Sequence, residues 1–189
     1  MGEFLGDRRD VAAGNSIRWR KRVCLSMEPP APLPSRSRSG RPLTPGELTL
    51  VREARVGRLA TVDAQSRPMV VPVCFAVVGE ETTAIVSVLD EKPKQVGDER
   101  LGRVRNIRSN PAVCLVVDRY DEDWTRLAFV QVRGEARLLE PGAAGHPEAV
   151  AALREKYPQY RDMAIEDRLV IAIERLTAFS WRGDGTRFG

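Results

Sequence analysis

The sequence predicts a mainly β protein of the α+β type: a six-stranded antiparallel barrel with a few short helices. Three observations carry this. Six short apolar runs are separated by turn signals, only three segments show a helical pattern, and neither an internal repeat nor a strand–helix–strand alternation is visible. At 189 residues, 42% of them apolar, the chain has room for one folded domain or at most two. No apolar run is long enough to span a membrane as a helix, so a soluble protein is expected.

Charge divides the chain. Residues 1–41 hold nine Lys/Arg and four Asp/Glu, whereas 42–189 hold 21 and 22. The positive excess therefore belongs to an N-terminal extension ending in a Pro/Ser/Arg-rich tract, and the body is nearly neutral. The extension lacks sustained periodicity and the apolar core of a secretory signal; it is expected to be disordered or loosely attached, with the folded domain spanning 42–189. Its "RWRKR" run, Arg18 to Arg22, suits contact with nucleic acid or anionic lipid, or else a solvated tail or an over-extended start with Met27 as a second candidate; the near-neutral body gives nucleic-acid binding no support.

The domain opens on "LTPGELTLVREAR". Thr44 is a natural N-cap, Pro45 fits the first helical position and Glu47 completes a capping box, with Leu48, Leu50 and Val51 as docking residues. Leu59 to Val62 reads as the first strand, "DAQSRP" as a turn, and Met69 to Val78 as one long second strand. Pro72 lies inside it, which requires an edge or a bulge there. "TAIVSVLD" and "AVCLVVD" are the third and fourth strands. The fifth, "RLAFVQVRGEARLL", alternates: Val130, Val132, Ala136 and Leu138 face one way, Gln131, Arg133, Glu135 and Arg137 the other. "RLVIAIERLTAFSW" closes the sheet. Between strands, "DERLGRVRNIRS" carries Leu101, Val104 and Ile107 as an apolar stripe, and "PEAVAALREKY" carries Val150, Leu153 and Tyr157.

Cys24, Cys74 and Cys114 form no close pair and read as small buried side chains in a reducing cytoplasm. His146, the single histidine, sits in "GHPE", which reads as a solvated loop. A metal site built on several histidines is thereby excluded.

Between Lys92 and Arg108 six cations face two acids, Asp98 and Glu99, where a strand hands over to a helix. Two lysines one residue apart on an extended segment point to the same side and suit a phosphate. A solvated turn, "DEKPK", closed by local ion pairs fits equally well, and sequence chemistry alone does not separate the two readings.

The ordered pieces "GRLATVDAQSRPMVVPV", "VSVLDEKPK", "RVRNIRSNPAVCLVVDRYDEDW", "VQVRGEARLLE" and the terminal "FSW" span roughly residues 44–181. In this order the chain resembles the split-barrel flavin and deazaflavin superfamily related to pyridoxamine 5′-phosphate oxidase, and within it the branch that uses coenzyme F420. The resemblance implies a homodimer with cofactor sites between subunits and a small-molecule substrate. It implies that Ser87, Lys92 and Lys94 approach the cofactor phosphate, with Arg105 and Asn106 on the next helix and the backbone of Met69, Val70 and Val71 along the ring. It sets Trp124 beside the ring, against the alternative of a tryptophan sealing the barrel end. Arg126 is implied to meet an anionic substrate or the cofactor tail. The activity implied is hydride transfer to an electron-poor organic substrate, with the proton drawn from water because no acid–base side chain stands out. FMN in the same barrel, or a cofactor carrier without catalysis, are the alternatives. The arginine–histidine pairing expected of vitamin B6 oxidation has no counterpart in "RLTAFSWRGDG".

Overall fold

The computed structural model describes residues 40–79, 83–89 and 101–189. Helix α1 (Pro45–Glu53) forms as the capping signal requires: the Thr44 side chain accepts from the Glu47 N–H, and the Glu47 carboxylate accepts from the Thr44 N–H at 2.8 Å. Leu50 and Val51 are its buried anchors, while Leu48 is only half-buried. Strands β1 (Gly57–Val62), β2 (Pro68–Val73), β3 (Ala76–Val78) and β4 (Ala84–Val88) follow, then helix α2 (Gly102–Ser109) and strands β5 (Ala112–Arg119) and β6 (Ala128–Leu139). Helix α3 (His146–Lys156) and strand β7 (Val170–Arg182) complete the fold.

All pairings are antiparallel, in the order β2-β1-β5-β6-β7-β4-β3. The described residues hold seven strands rather than six, because the expected long strand breaks at Cys74–Phe75. That break is the feature that makes the barrel split. β2 and β3 are the two outer strands of the sheet, yet only two residues separate them in the chain, so the sheet curls until its edges meet at one corner. There the Tyr157 hydroxyl accepts from the Phe75 N–H at 3.0 Å and reaches the carbonyls of Arg55 (2.8 Å) and Phe75 (2.9 Å). Buried backbone groups without ladder partners need such a substitute. Pro68 and Pro72 lie in β2, the outer strand, as a missing N–H donor demands.

Two apolar clusters hold the domain. Leu59, Phe75, Leu115, Val130, Val132 and Ile171 fill the barrel, where α1 and α2 contribute Val51, Val104 and Ile107. On the other side α3 packs Ala149, Val150 and Leu153 against Val86, Val88, Val170 and Ala172. Each fully buried Leu, Ile or Phe contributes about 1.5–3 kcal/mol through lost water contact.

Three further expectations need correction. His146 opens α3 and is buried, its Nε2 2.8 Å from the Arg168 carbonyl, so the histidine is a packed residue and not a solvated one. Cys74 and Cys114 are half-buried, with the Gln131 amide 3.2 Å from the Cys114 sulfur, and Cys24 lies outside the described residues. Arg41, which charge accounting assigns to the extension, is bonded into the domain. Its carbonyl accepts from the Ala178 N–H at 2.8 Å, and its guanidinium grips the fully buried Glu47 at 2.5 and 2.7 Å. A chain beginning at Gly40 is therefore expected to melt within about 2–4 °C of the full chain, the shift of about 1 kcal/mol in a domain this size. A chain beginning at Pro42 should melt clearly lower. Thermal denaturation of both checks this.

Candidate functional site

Two sets of residues named from the sequence fall at opposite ends of β5. The first gathers where α2 leads into it. Thr61 pairs with Met69 across β1 and β2, and the buried Asn106 amide donates to the Thr61 hydroxyl at 2.9 Å, tying α2 to β1. Gly102, at the first turn of α2, lies so close to Met69 that a Cβ there would sit 2.9 Å from the Met69 sulfur. One turn on, Arg105 is exposed and pairs with no acid among the described residues. Met69, Val70 and Val71 run along the outer strand β2, with Val70 59% exposed. Ser87 is buried in β4 opposite Ile171. Lys92 and Lys94 lie outside the described residues, in the connection between β4 and α2. An exposed guanidinium with no acid partner among the described residues is a donor suited to an anion.

The second set lies in the turn between β5 and β6. A short 3-10 turn, Trp124–Arg126, is capped by Asp123, whose carboxyl is held below its usual range by the Thr125 hydroxyl and N–H. Trp124 is 72% exposed and does not seal the barrel; its carbonyl abuts Gly183, where a Cβ would meet it at 1.9 Å. Arg126 lies 3.4 Å from Asp121 and, with Arg119 and Arg182, lines an open cavity of ≈ 530 Å³. The eight residues of β5 separate this turn from Asn106 and Met69 by roughly 25 Å, at about 3.3 Å per residue. The chain by itself does not bring the two sets together.

Between them runs the outward face of the sheet. In the barrel wall, residues directly opposite each other share a face, so the register defines its rows. One row is Pro72, Arg58, Val116, Gln131 and Phe179; the next holds Val70, Ala60, Cys114 and Arg133. A third holds Asp118, Phe129 and Trp181. Phe129 contacts Phe179 and Trp181 at ring-centre distances of 5.9 and 6.1 Å, yet Phe179 and Trp181 remain 43% and 47% exposed. The Arg58–Asp118 ion pair crosses the same face. Exposed aromatic rings clustered in this way are a candidate interaction surface. Pairwise packing explains part of the ring cluster; sequence alternation alone did not reveal it, because Phe179 and Trp181 read simply as the end of an apolar strand.

Among the described residues no group of His, Cys, Asp and Glu is placed to hold a metal ion, and no helix is long and apolar enough to cross a membrane.

The pyridoxamine 5′-phosphate oxidase family model matches residues 43–180. The 5a,11a-dehydrotetracycline/5a,11a-dehydrooxytetracycline reductase of Streptomyces rimosus subsp. rimosus is 31% identical over 144 residues, covering 76% of this chain and 87% of that protein. Among solved structures, a conserved hypothetical protein of Mycobacterium tuberculosis is 20% identical with a TM-score of 0.56, over 77% of this chain and 89% of that one. An F420 reductase is 21% identical with a TM-score of 0.51, over 74% of this chain and 98% of that one. The two structures share the fold. With the family model matched from Leu43 into the final strand, the chain belongs to the pyridoxamine 5′-phosphate oxidase family.

Proposed function

We propose that this chain is a homodimeric reductase that binds coenzyme F420 between its subunits and reduces an electron-poor organic substrate. The similarity to a reductase over 76% of the chain carries the reading. The exposed sheet face supports the dimer, and the F420 reductase of like fold agrees with the cofactor. Two sheets docked face to face about a two-fold axis, their β5 strands antiparallel, bring the Trp124 end of one subunit over the Met69 end of its partner. The site is then complete only in the dimer.

Within that site Arg105, with Lys92 and Lys94, binds the phosphate. Asn106 acts through Thr61, fixing the angle at which α2 presents Arg105. The exposed backbone edge of Met69 to Val71 orients the ring, and Trp124 with the apolar face excludes water. When bound, the deazaflavin supplies the hydride. The proton comes from water.

Fluorescence titration with F420 and with FMN tests the reading. Arg105→Ala is expected to weaken F420 binding by roughly 10- to 150-fold, the equivalent of the 1.5–3 kcal/mol of a charge-assisted hydrogen bond. Arg137→Ala, whose guanidinium is spent on Glu174 at 2.7 Å, should bind as wild type. Tight FMN binding with no detectable F420 binding would replace the deazaflavin with FMN, and binding of neither sinks the proposal.

A further inference from the structure

At the barrel corner the seam holds more than backbone. Lys156 is the last residue of α3, and its stem folds back over Phe75 so that Nζ lies 4.0 Å from the ring centre. Nζ is buried and has no hydrogen-bond partner among the described residues. The scaffold around it is rigid: the Tyr157 hydroxyl ties Phe75 to Arg55, and the Arg55 guanidinium donates to the Lys156 carbonyl at 2.6 Å while stacking on the Tyr157 ring. Lys156 also lines an open cavity of ≈ 420 Å³, shared with Arg52, Arg55, Glu53, Glu155 and an apolar wall including Ala76 and Val77.

A lysine is an odd choice for this position. An ammonium over a desolvated ring gains about 2 kcal/mol, whereas removing it from water costs several. The imbalance is relieved when the amine sheds its proton. Burial first, then the positive charge of Arg55, lowers its pKa to about 8, with Cys74 opposing. A neutral amine carries a free lone pair, and in this position no donor among the described residues occupies it. Arg55, which disfavours the ammonium, and Arg52 attract a negatively charged visitor to the same cavity, where Glu53 is already paired with Arg119 at 3.9 Å and Glu155 is the opposing charge.

We infer that Lys156 is a second reactive site, independent of the cofactor site, where the free amine condenses with small carbonyl compounds bearing a carboxylate. The nitrogen lone pair attacks the carbonyl carbon, the amine gives up its two protons, and the carbonyl oxygen leaves with them as water. The product is a reversible imine whose carboxylate faces Arg52 and Arg55. No oxidant or reductant is consumed in forming it.

The chain has four lysines, Lys21, Lys92, Lys94 and Lys156, so the products map unambiguously. The full chain is incubated at pH 7 with glyoxylate and cyanoborohydride, which traps an imine as a stable amine, and the peptides are analysed by mass spectrometry. An ordinary lysine is about one part in 2,500 neutral at pH 7, against about one in ten for an amine that titrates near 8. Lys156 is therefore expected to be labelled at least about tenfold faster than Lys21, with a rate that levels off above pH 8 rather than above pH 10. Glyoxylate should outpace acetaldehyde at Lys156, and Arg52→Gln should reduce that preference by about threefold or more without changing acetaldehyde labelling. Labelling of Lys156 no faster than Lys21 overturns the assignment of a reactive amine. Equal rates for the two aldehydes, or a preference untouched by Arg52→Gln, overturns the anionic class of ligand. Cofactor binding plays no part in these readouts.

Discussion

Replacing Arg41 by alanine is expected to destabilise the domain by about 2–3 kcal/mol at pH 7, lowering the melting temperature by about 5–10 °C. Glu47 is fully buried, and burial alone pushes its carboxyl upward. Hydrogen bonds from Arg41, Ser180 and the Thr44 backbone outweigh that and bring it down to about 2. Removing the guanidinium leaves a buried carboxylate with only its neutral donors. Breaking a buried pair commonly costs 3–5 kcal/mol, and the lower figure applies here because Arg41 itself is half exposed and screened. The sign of the pH dependence follows from the depressed pKa. Stability from the pair is fully present above the unfolded pKa, near 4.5, and is lost as pH falls from there toward 2. Wild type and Arg41→Ala should therefore converge in stability between pH 4.5 and 2. Urea denaturation at pH 7 and pH 3 checks both the size and the convergence; a difference that holds constant with pH would show that the effect is not carried by Glu47.

Aspartates at Phe179 and Trp181 together are expected to raise the dimer dissociation constant by at least about 1,000-fold. The two-fold axis repeats every change, so four carboxylates enter one apolar face, and like charges brought together across an interface cost several kcal/mol. Each tenfold change is 1.4 kcal/mol, so a shift of about three powers of ten is the minimum. Both side chains point away from the barrel core and are already half exposed, so the protomer should stay folded. Light scattering after size-exclusion chromatography reads the mass, and circular dichroism reads the fold. If the proposed site is shared between subunits, F420 affinity should fall with the dimer. A double variant that remains dimeric and binds F420 normally removes this face from the interface.

Local chemistry was legible in the sequence where neighbours decide it. The Thr44–Glu47 box starts α1, the stripe of Val104 and Ile107 docks α2, alternation defines β6, and Pro72 marks an outer strand. Distant partners decide the rest. The run from Met69 to Val78 is apolar throughout, and nothing in it foretells the break at Phe75; the hydroxyl that stabilises the break lies 82 residues away on Tyr157. His146 reads as a loop residue because its partner, the Arg168 carbonyl, is 22 residues further on. Arg41 looks like one more cation of a basic tail until Glu47 is seen to be buried and not merely a capping group. For the candidate site, sequence reasoning named Asn106, Arg105 and Met69, which α2 and β1 draw together. It also named Trp124 and Arg126, which β5 holds apart. In the proposed dimer a second copy would join the two ends, and a single chain's periodicity carries no record of such a pairing.

The prolines of β2 have a consequence for how the protein behaves when concentrated or newly made. In a strand, N–H groups of alternate residues point to the same side, and a proline is tolerated only where its missing donor would face away from the neighbouring strand. Pro68 and Pro72 therefore place the outward-pointing donors of β2 at positions 68, 70 and 72, and of these only Val70 keeps one. An incoming strand finds acceptors along this border but almost nothing to donate to it, so it cannot build a ladder. The β2 margin of the sheet is in this way protected against strand-by-strand aggregation, even while Phe179 and Trp181 stay exposed on its face.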